Sequence, residues 1–255
     1  MRLPSLEGLV ERRLLVNYRV DPEVAEQLLP APLRPQLVNG WAVAGICLIR
    51  LGQLRPRGLP GVVGMRSENA AHRLVVTWPG ADGPSVGVYI PRRDTGAAMN
   101  AVIGGRLFPG RAHRARFRVS ESTREVQVGF DSVDGSTSVD VAVAIGGELG
   151  SEVFRGLDEA SRFFQRGSVG YSATSRCDQL DGLELRTDAW RVDAARVVSV
   201  RSSFFDDPEL FPRGSATIDC ALLMRDVPVT WHPLGSLRGT AGVRAVARSA
   251  DVNRS

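Results

Sequence analysis

The chain contains no lysine: all 32 of its basic residues are arginine. Arginine stays protonated at any working pH, so it can clamp carboxylates or enolates but serves poorly as a nucleophile or general base. Complete replacement of lysine by arginine reflects GC-rich codon usage. Schiff-base chemistry is excluded apart from the α-amine of Met1. Cysteine is scarce and odd in number, with Cys47, Cys177 and Cys220 far apart. That argues against a disulfide framework and a zinc spacing, and reads as buried, inert thiols. Histidine is equally scarce (His72, His113, His232), and His-Glu-x-x-His is absent. No metal and no cofactor is expected. There is no run of 18 apolar residues to span a bilayer, and Met1–Glu7 has no secretory h-region. These absences predict a cytoplasmic protein with no membrane partner.

What is present is ordinary for a globular chain, at 43% apolar and 24% charged residues. The net charge of +4 is spread among 28 acids with no basic tract, which argues against nucleic-acid binding. Only short Pro/Gly punctuation interrupts the chain, so a single domain over 1–255 is expected, with the tail after about residue 237 loosely docked.

Two helices are readable. Asp21-Pro22 opens the first, which Pro30 stops. The second runs from Asp158 to about Gly167. Almost everything else alternates: Arg114, Arg116 and Arg118 lie opposite Ala115, Phe117 and Val119, and Val139, Val141, Val143 and Ile145 line one face. Further strand patterns fall at 14–18, 41–48, 74–78, 86–90, 125–130, 196–205, 216–224 and 227–232. So many strands with so few helices predict an α+β fold dominated by a large curved antiparallel sheet or closed β-barrel with an internal cavity. Exposed edges of such a sheet allow a homodimer.

The order of pieces resembles the acetoacetate decarboxylase-like superfamily, most closely its YqjF-like branch. The resemblance lies in Val16-Asn17-Tyr18-Arg19-Val20-Asp21 before a short helix, Leu28-Leu29-Pro30-Ala31-Pro32-Leu33, Ser67–Arg73, and the closing Val229-Thr230-Trp231-His232-Pro233. It runs from about residue 10 to 236. The decarboxylases carry an aromatic-Pro-Lys-Lys motif, whose first lysine forms the Schiff base. The similar stretch here is Phe108-Pro109-Gly110-Arg111, so glycine stands where the resemblance places the nucleophile. The resemblance therefore implies the fold and the pocket without the covalent chemistry.

The residues expected to carry chemistry follow from type and alternation. Glu68, Ala70 and His72 share a strand face, so Glu68 and His72 form a candidate acid/base pair, unless Glu68 only pairs with Arg66 or Arg73. Arg111 is a candidate electrophilic clamp. Asp219 alternates with Cys220 and, on a barrel's inner face, would be a buried proton carrier. Arg19 and His113 are candidate substrate-binding residues, and His232 reads as structural. No Gly-x-Ser-x-Gly elbow follows a strand. The expected function is a cofactor-independent cyclase, dehydratase or lyase acting on a polyketide-like or organic-acid small molecule. The alternative is a barrel that binds a small ligand without turning it over.

Overall fold

The computed structural model describes residues 5–60, 64–97, 110–174 and 178–239. The expected loose tail lies mostly outside these residues, as does Cys177. The chain runs β1 (Leu6–Val20), α1 (Pro22–Gln27), β2 (Arg34–Pro35), β3 (Leu37–Val38), β4 (Trp41–Pro56), β5 (Met65–Gly80) and β6 (Gly83–Thr95). It continues through β7 (Ala112–Glu121), β8 (Glu125–Ser132), β9 (Ser138–Ile145), α2 (Leu157–Arg166), β10 (Val169–Ala173), β11 (Gln179–Arg186), β12 (Asp193–Ser202), β13 (Ala216–Pro233) and β14 (Leu237–Arg238).

One large sheet holds all the strands in the order β14-β11-β10-β6-β7-β8-β9-β12-β13-β1-β4-β5-β2, with β3 paired to β4. Additional β5–β6 and β11–β13 pairings bring the ladder back onto itself, so the sheet curls strongly. It is mixed where a wholly antiparallel sheet was expected: β6 pairs in parallel with β7 and with β10. Parallel neighbours need a long crossover. The chain supplies one between β6 and β7 (residues 96–111) and another, carrying α2, before β10. Neither crossover is visible in the alternation of the strands.

β1 forms the spine, paired along its length with β13 on one side and β4 on the other. Its central run, Leu14-Leu15-Val16, is apolar without alternation because both faces are covered. Leu14, Val16 and Tyr18 join a core with Ile46, Leu48, Leu74, Phe130 and Leu223. Leu15 looks the other way, to Val43, Cys47, Ala71, Leu222 and the buried Ala160 and Phe164 of α2. Each such leucine or phenylalanine contributes about 1.5–3 kcal/mol of burial.

β13 is continuous where two strands, 216–224 and 227–232, were expected. Asp226 spans the join at φ 52°. A bulge opposite Asn17/Tyr18 leaves Asp219 without a partner on β1. That bulge corrects the expected alternation. Asp219 is turned to the side of Cys220, which it contacts, and accepts from Ser151 Oγ (2.6 Å) and the Glu152 amide (2.7 Å).

Candidate functional site

The register sets three neighbouring rungs on one face of β1, β4, β5 and β6. The first is Asn17, Gly45 and Arg73; the second is Leu15, Cys47, Ala71 and Arg93; the third is Arg13, Ile49, Asn69 and Thr95. Gly45 and Ala71 are the small members, and they leave room between the long ones. A Cβ at Gly45 would sit 2.3 Å from the Val16 carbonyl oxygen and 3.3 Å from Asn17 Oδ1. Glycine thus clears the path by which Arg73 reaches Asn17.

Above this face lies a cavity of about 140 Å³, roofed by the start of β10 and by β11 and lined by Arg13, Arg73 and Arg93 together with Cys47, Asn69 and Ser168. It is smaller than the roughly 300–1,000 Å³ of pockets that hold drug-sized ligands. Its walls are otherwise largely apolar, with Ile49, Leu51, Ile90, Leu183 and Trp231 among them.

The three guanidinium groups are held without carboxylates. Arg73 donates from Nη2 to Asn17 Oδ1, stacks its cation over Phe164 at 4.8 Å, and leaves its buried Nε with no partner among the described residues. Arg93 donates from Nε to Ser172 Oγ at 3.1 Å, and Arg13 from Nε to Cys47 Sγ at 3.4 Å. Among the described residues none of the three forms an ion pair, whereas Arg12, Arg50 and Arg92 all do. Burial pushes Arg73 down to about 10, with a further push from Arg13, and burial pushes Arg93 down to about 10. A buried cation without a counter-ion raises the affinity of its surroundings for an anion. Asp94 reaches the same wall, but Arg92 grips its carboxylate at 2.9 Å.

None of the six residues expected from sequence lines this cavity. Glu68 and His72 do share a face of β5, but it is the opposite one. Glu68 bonds to Arg12 and Arg50 rather than to Arg66 or Arg73, and both arginines also reach Glu121. In this half-buried cluster the hydrogen bond and charge of Glu68 outweigh burial and hold Arg50 above its ordinary value. Glu68 also edges a separate open hollow of about 490 Å³ beside Arg66, Arg114 and Arg116. His72 is fully buried against Phe204 (ring centres 4.7 Å apart), with Nε2 at 3.4 Å from Ser202 Oγ. Burial, then the charge of Arg92, pushes it down to about 3, so the ring is neutral at ordinary pH.

Arg19 pairs with Glu152 and lies over Trp41 at 5.3 Å. His113 Nδ1 meets Asp134 Oδ2 at 2.9 Å. Arg111 is exposed; its neighbour Ala112 lines the cavity. Asp219 ties down the 151–154 loop. Gly110, where the resemblance puts the nucleophile, sits at φ 89°, and a Cβ there would come 2.7 Å from Cβ of Ser172, the partner of Arg93. That position therefore falls beside the arginine cavity, while its side chain is missing.

Sequence reasoning passed over Arg13 and Arg93, took Arg73 only as an alternative partner of Glu68, and read Cys47 as a buried, inert thiol. One signal was available: Arg73 is the only charged residue in the apolar run from Leu74 to Trp78 and its approach Ala70–Ala71. The meeting of Arg13 and Arg93 with Cys47 depends on register across four strands, which alternation within one strand does not carry.

The curled sheet and its cavity define an acetoacetate decarboxylase-like fold, and solved structures share it over nearly the whole chain. Acetoacetate decarboxylase from Legionella pneumophila subsp. pneumophila str. Philadelphia 1 is 10% identical at a TM-score of 0.60, covering 95% of this chain and 89% of that one. An acetoacetate decarboxylase-like enzyme from Sphingomonas wittichii RW1 is 11% identical at 0.59, with 93% of each chain covered. The enduracididine biosynthesis enzyme MppR, complexed with the condensation product of pyruvate and imidazole 4-carboxaldehyde, is 14% identical at 0.60, covering 95% and 91%. Comparison with curated proteins by sequence gave no match. The chain belongs to the DUF2071 family, described as an uncharacterized conserved protein, whose signature spans residues 10–226.

Proposed function

We propose that the protein is a cofactor-independent enzyme of small-molecule metabolism whose substrate is a small organic acid held in the arginine cavity. The observation that carries this reading is three guanidinium groups lining one small cavity, none of them in an ion pair among the described residues, while the one carboxylate on its wall, Asp94, is taken by Arg92. Arg73 and Arg93 hold the substrate's carboxylate by charge-assisted hydrogen bonds. A third guanidinium, Arg13, is left to stabilise an enolate or oxyanion that develops beside it. Cyclisation, dehydration and decarboxylation all pass through such an anion and need no amine. The cavity volume favours a compact acid over a polyketide-like one. In this reading the proton-moving roles expected of Glu68, His72 and Asp219, and the clamp expected of Arg111, pass to groups on the cavity wall. Fold relatives that are acetoacetate decarboxylases, or are complexed with pyruvate, support small oxo acids as the first probes.

A second reading is a barrel-like carrier or sensor that binds the acid without turning it over. It is favoured by the commitment of Glu68 to Arg12 and Arg50, and of His72 to the core, away from the cavity. Calorimetric titration with acetoacetate and pyruvate, followed by NMR of each mixture over hours, separates the two. Binding with a new product supports the enzyme, and binding with an unchanged ligand supports the carrier. Absence of binding by any small carboxylate contradicts both.

A further inference from the structure

We propose that Cys47 is the nucleophile of this cavity and adds reversibly to the keto carbon of a small 2-oxo acid. The proposal rests on the reading that the cavity takes a small organic acid, and it assigns that acid's class and its covalent partner.

Cys47 stands at the centre of the three rungs. It is level with Leu15 and Ala71, one residue pair from Arg13 along the sheet, and one strand beyond Ala71 lies Arg93. Its side chain lines the cavity, and the Arg13 Nε–H points at its sulfur from 3.4 Å. Arg73 and Arg93 line the same cavity. A cysteine side chain that accepts from one guanidinium and shares a cavity with two more is placed as nucleophilic cysteines are, beside positive charge. A second, independent feature points to a ligand on the same wall: Arg73, 3% exposed, keeps an Nε–H with no acceptor among the described residues. The other described thiol differs. Cys220 is engaged by Asn17 and lies against Asp219, and burial together with that carboxylate pushes it up.

Two neighbouring cationic positions match a ligand with neighbouring anionic ones. A 2-oxo acid places its carboxylate next to the carbon under attack. Arg73 and Arg93 take the carboxylate, and Arg13, already on the sulfur, meets the carbonyl oxygen as it becomes negative. In the step, the C–S bond forms and the C=O π pair moves to oxygen. That oxygen takes up the proton released by the thiol. Nothing is oxidised or reduced, and no co-reactant is needed.

The test uses the intact protein. Cys47 is alkylated with iodoacetate and, separately, with the neutral iodoacetamide, and each site is quantified by mass spectrometry, with the urea-unfolded chain as reference. The expected result is a preference for iodoacetate at Cys47 at least about tenfold greater than in the unfolded chain, abolished by pyruvate. With [2-13C]pyruvate, a protein-bound tetrahedral carbon signal, distinct from that of free pyruvate hydrate, should appear in the wild type and be missing in Cys47→Ser, which still binds pyruvate by calorimetry. Because the alkylation ratio is read on the wild type, it stands even if the serine variant fails to fold. A Cys47 that neither reagent reaches, or that shows the ratio of the unfolded chain, overturns the proposal. So does pyruvate binding without that protein-bound signal, which leaves the small-acid reading intact. Failure of pyruvate and other small carboxylates to bind at all overturns that reading and this proposal together.

Discussion

On β1, Arg12 and Arg13 are adjacent in sequence and point to opposite faces of the sheet. Arg12 meets Glu68 and Glu121 and is neutralised, while Arg13 meets a thiol and a cavity. The same split separates Arg92, bound to Asp94, from Arg93, whose hydrogen-bond partner among the described residues is the Ser172 hydroxyl. Chemical character here is set by what lies across the strand, and so Arg93→Gln is the informative change. It keeps a hydrogen-bonding side chain and removes the charge, and it should weaken binding of a small carboxylate by about 10- to 100-fold in calorimetry. An unchanged affinity would mean that the anion sits elsewhere. His72 gives a second residue-scale expectation. Its folded-state value near 3 lies below the ordinary value near 6.5, so the unfolded chain binds the extra proton first as pH falls. The stabilisation from keeping it neutral is complete above about pH 6.5 and is lost toward pH 3, at up to about 1.4 kcal/mol per pH unit. Urea midpoints measured across that window should fall less steeply for His72→Leu than for the wild type. Equal slopes would show that His72 is not the group responsible.

At the scale of the element, the strands were legible wherever one face met water. Arg114–Val119 and Val139–Ile145 alternate in the structure as their residues do in sequence. The same rule placed Glu68 and His72 on a common face of β5, which is correct, yet it did not say which face of the sheet looks into the cavity. Alternation failed at Asp219 because a bulge inserts one residue there, and a bulge leaves no mark in a run such as Ala216–Met224. That bulge turns the carboxylate toward the Ser151 hydroxyl and the Glu152 and Val153 amides, stapling the approach to α2 onto β13. Asp219→Ala should therefore cost about 1–3 kcal/mol of stability and speed amide exchange at Glu152 and Val153. Carboxylate affinity should stay within about twofold. Loss of binding with stability unchanged would return Asp219 to the site.

Across the whole molecule, the number of strands, the paucity of helices and the order of motifs sufficed to read the fold. The parallel pairings of β6 did not show, because they depend on where two long crossovers land. The missing lysine was likewise legible, and it removes the amine without removing the cavity. What takes its place is an excess of positive charge on one face of the spine, balanced by a neutralised cluster on the other. Glu68→Gln tests that division. It leaves the buried Arg12 with one carboxylate fewer, so it should cost about 3 kcal/mol of stability while small-acid affinity holds. A large loss of affinity at full stability would place the working carboxylate at Glu68 after all. The most direct measurement is a crystal structure of the protein soaked with pyruvate. Density for the carboxylate between Arg73 and Arg93, with the keto carbon facing Cys47, is the predicted result. Pyruvate bound in the hollow beside Glu68 and Arg114, with the arginine cavity filled only by water, would contradict it.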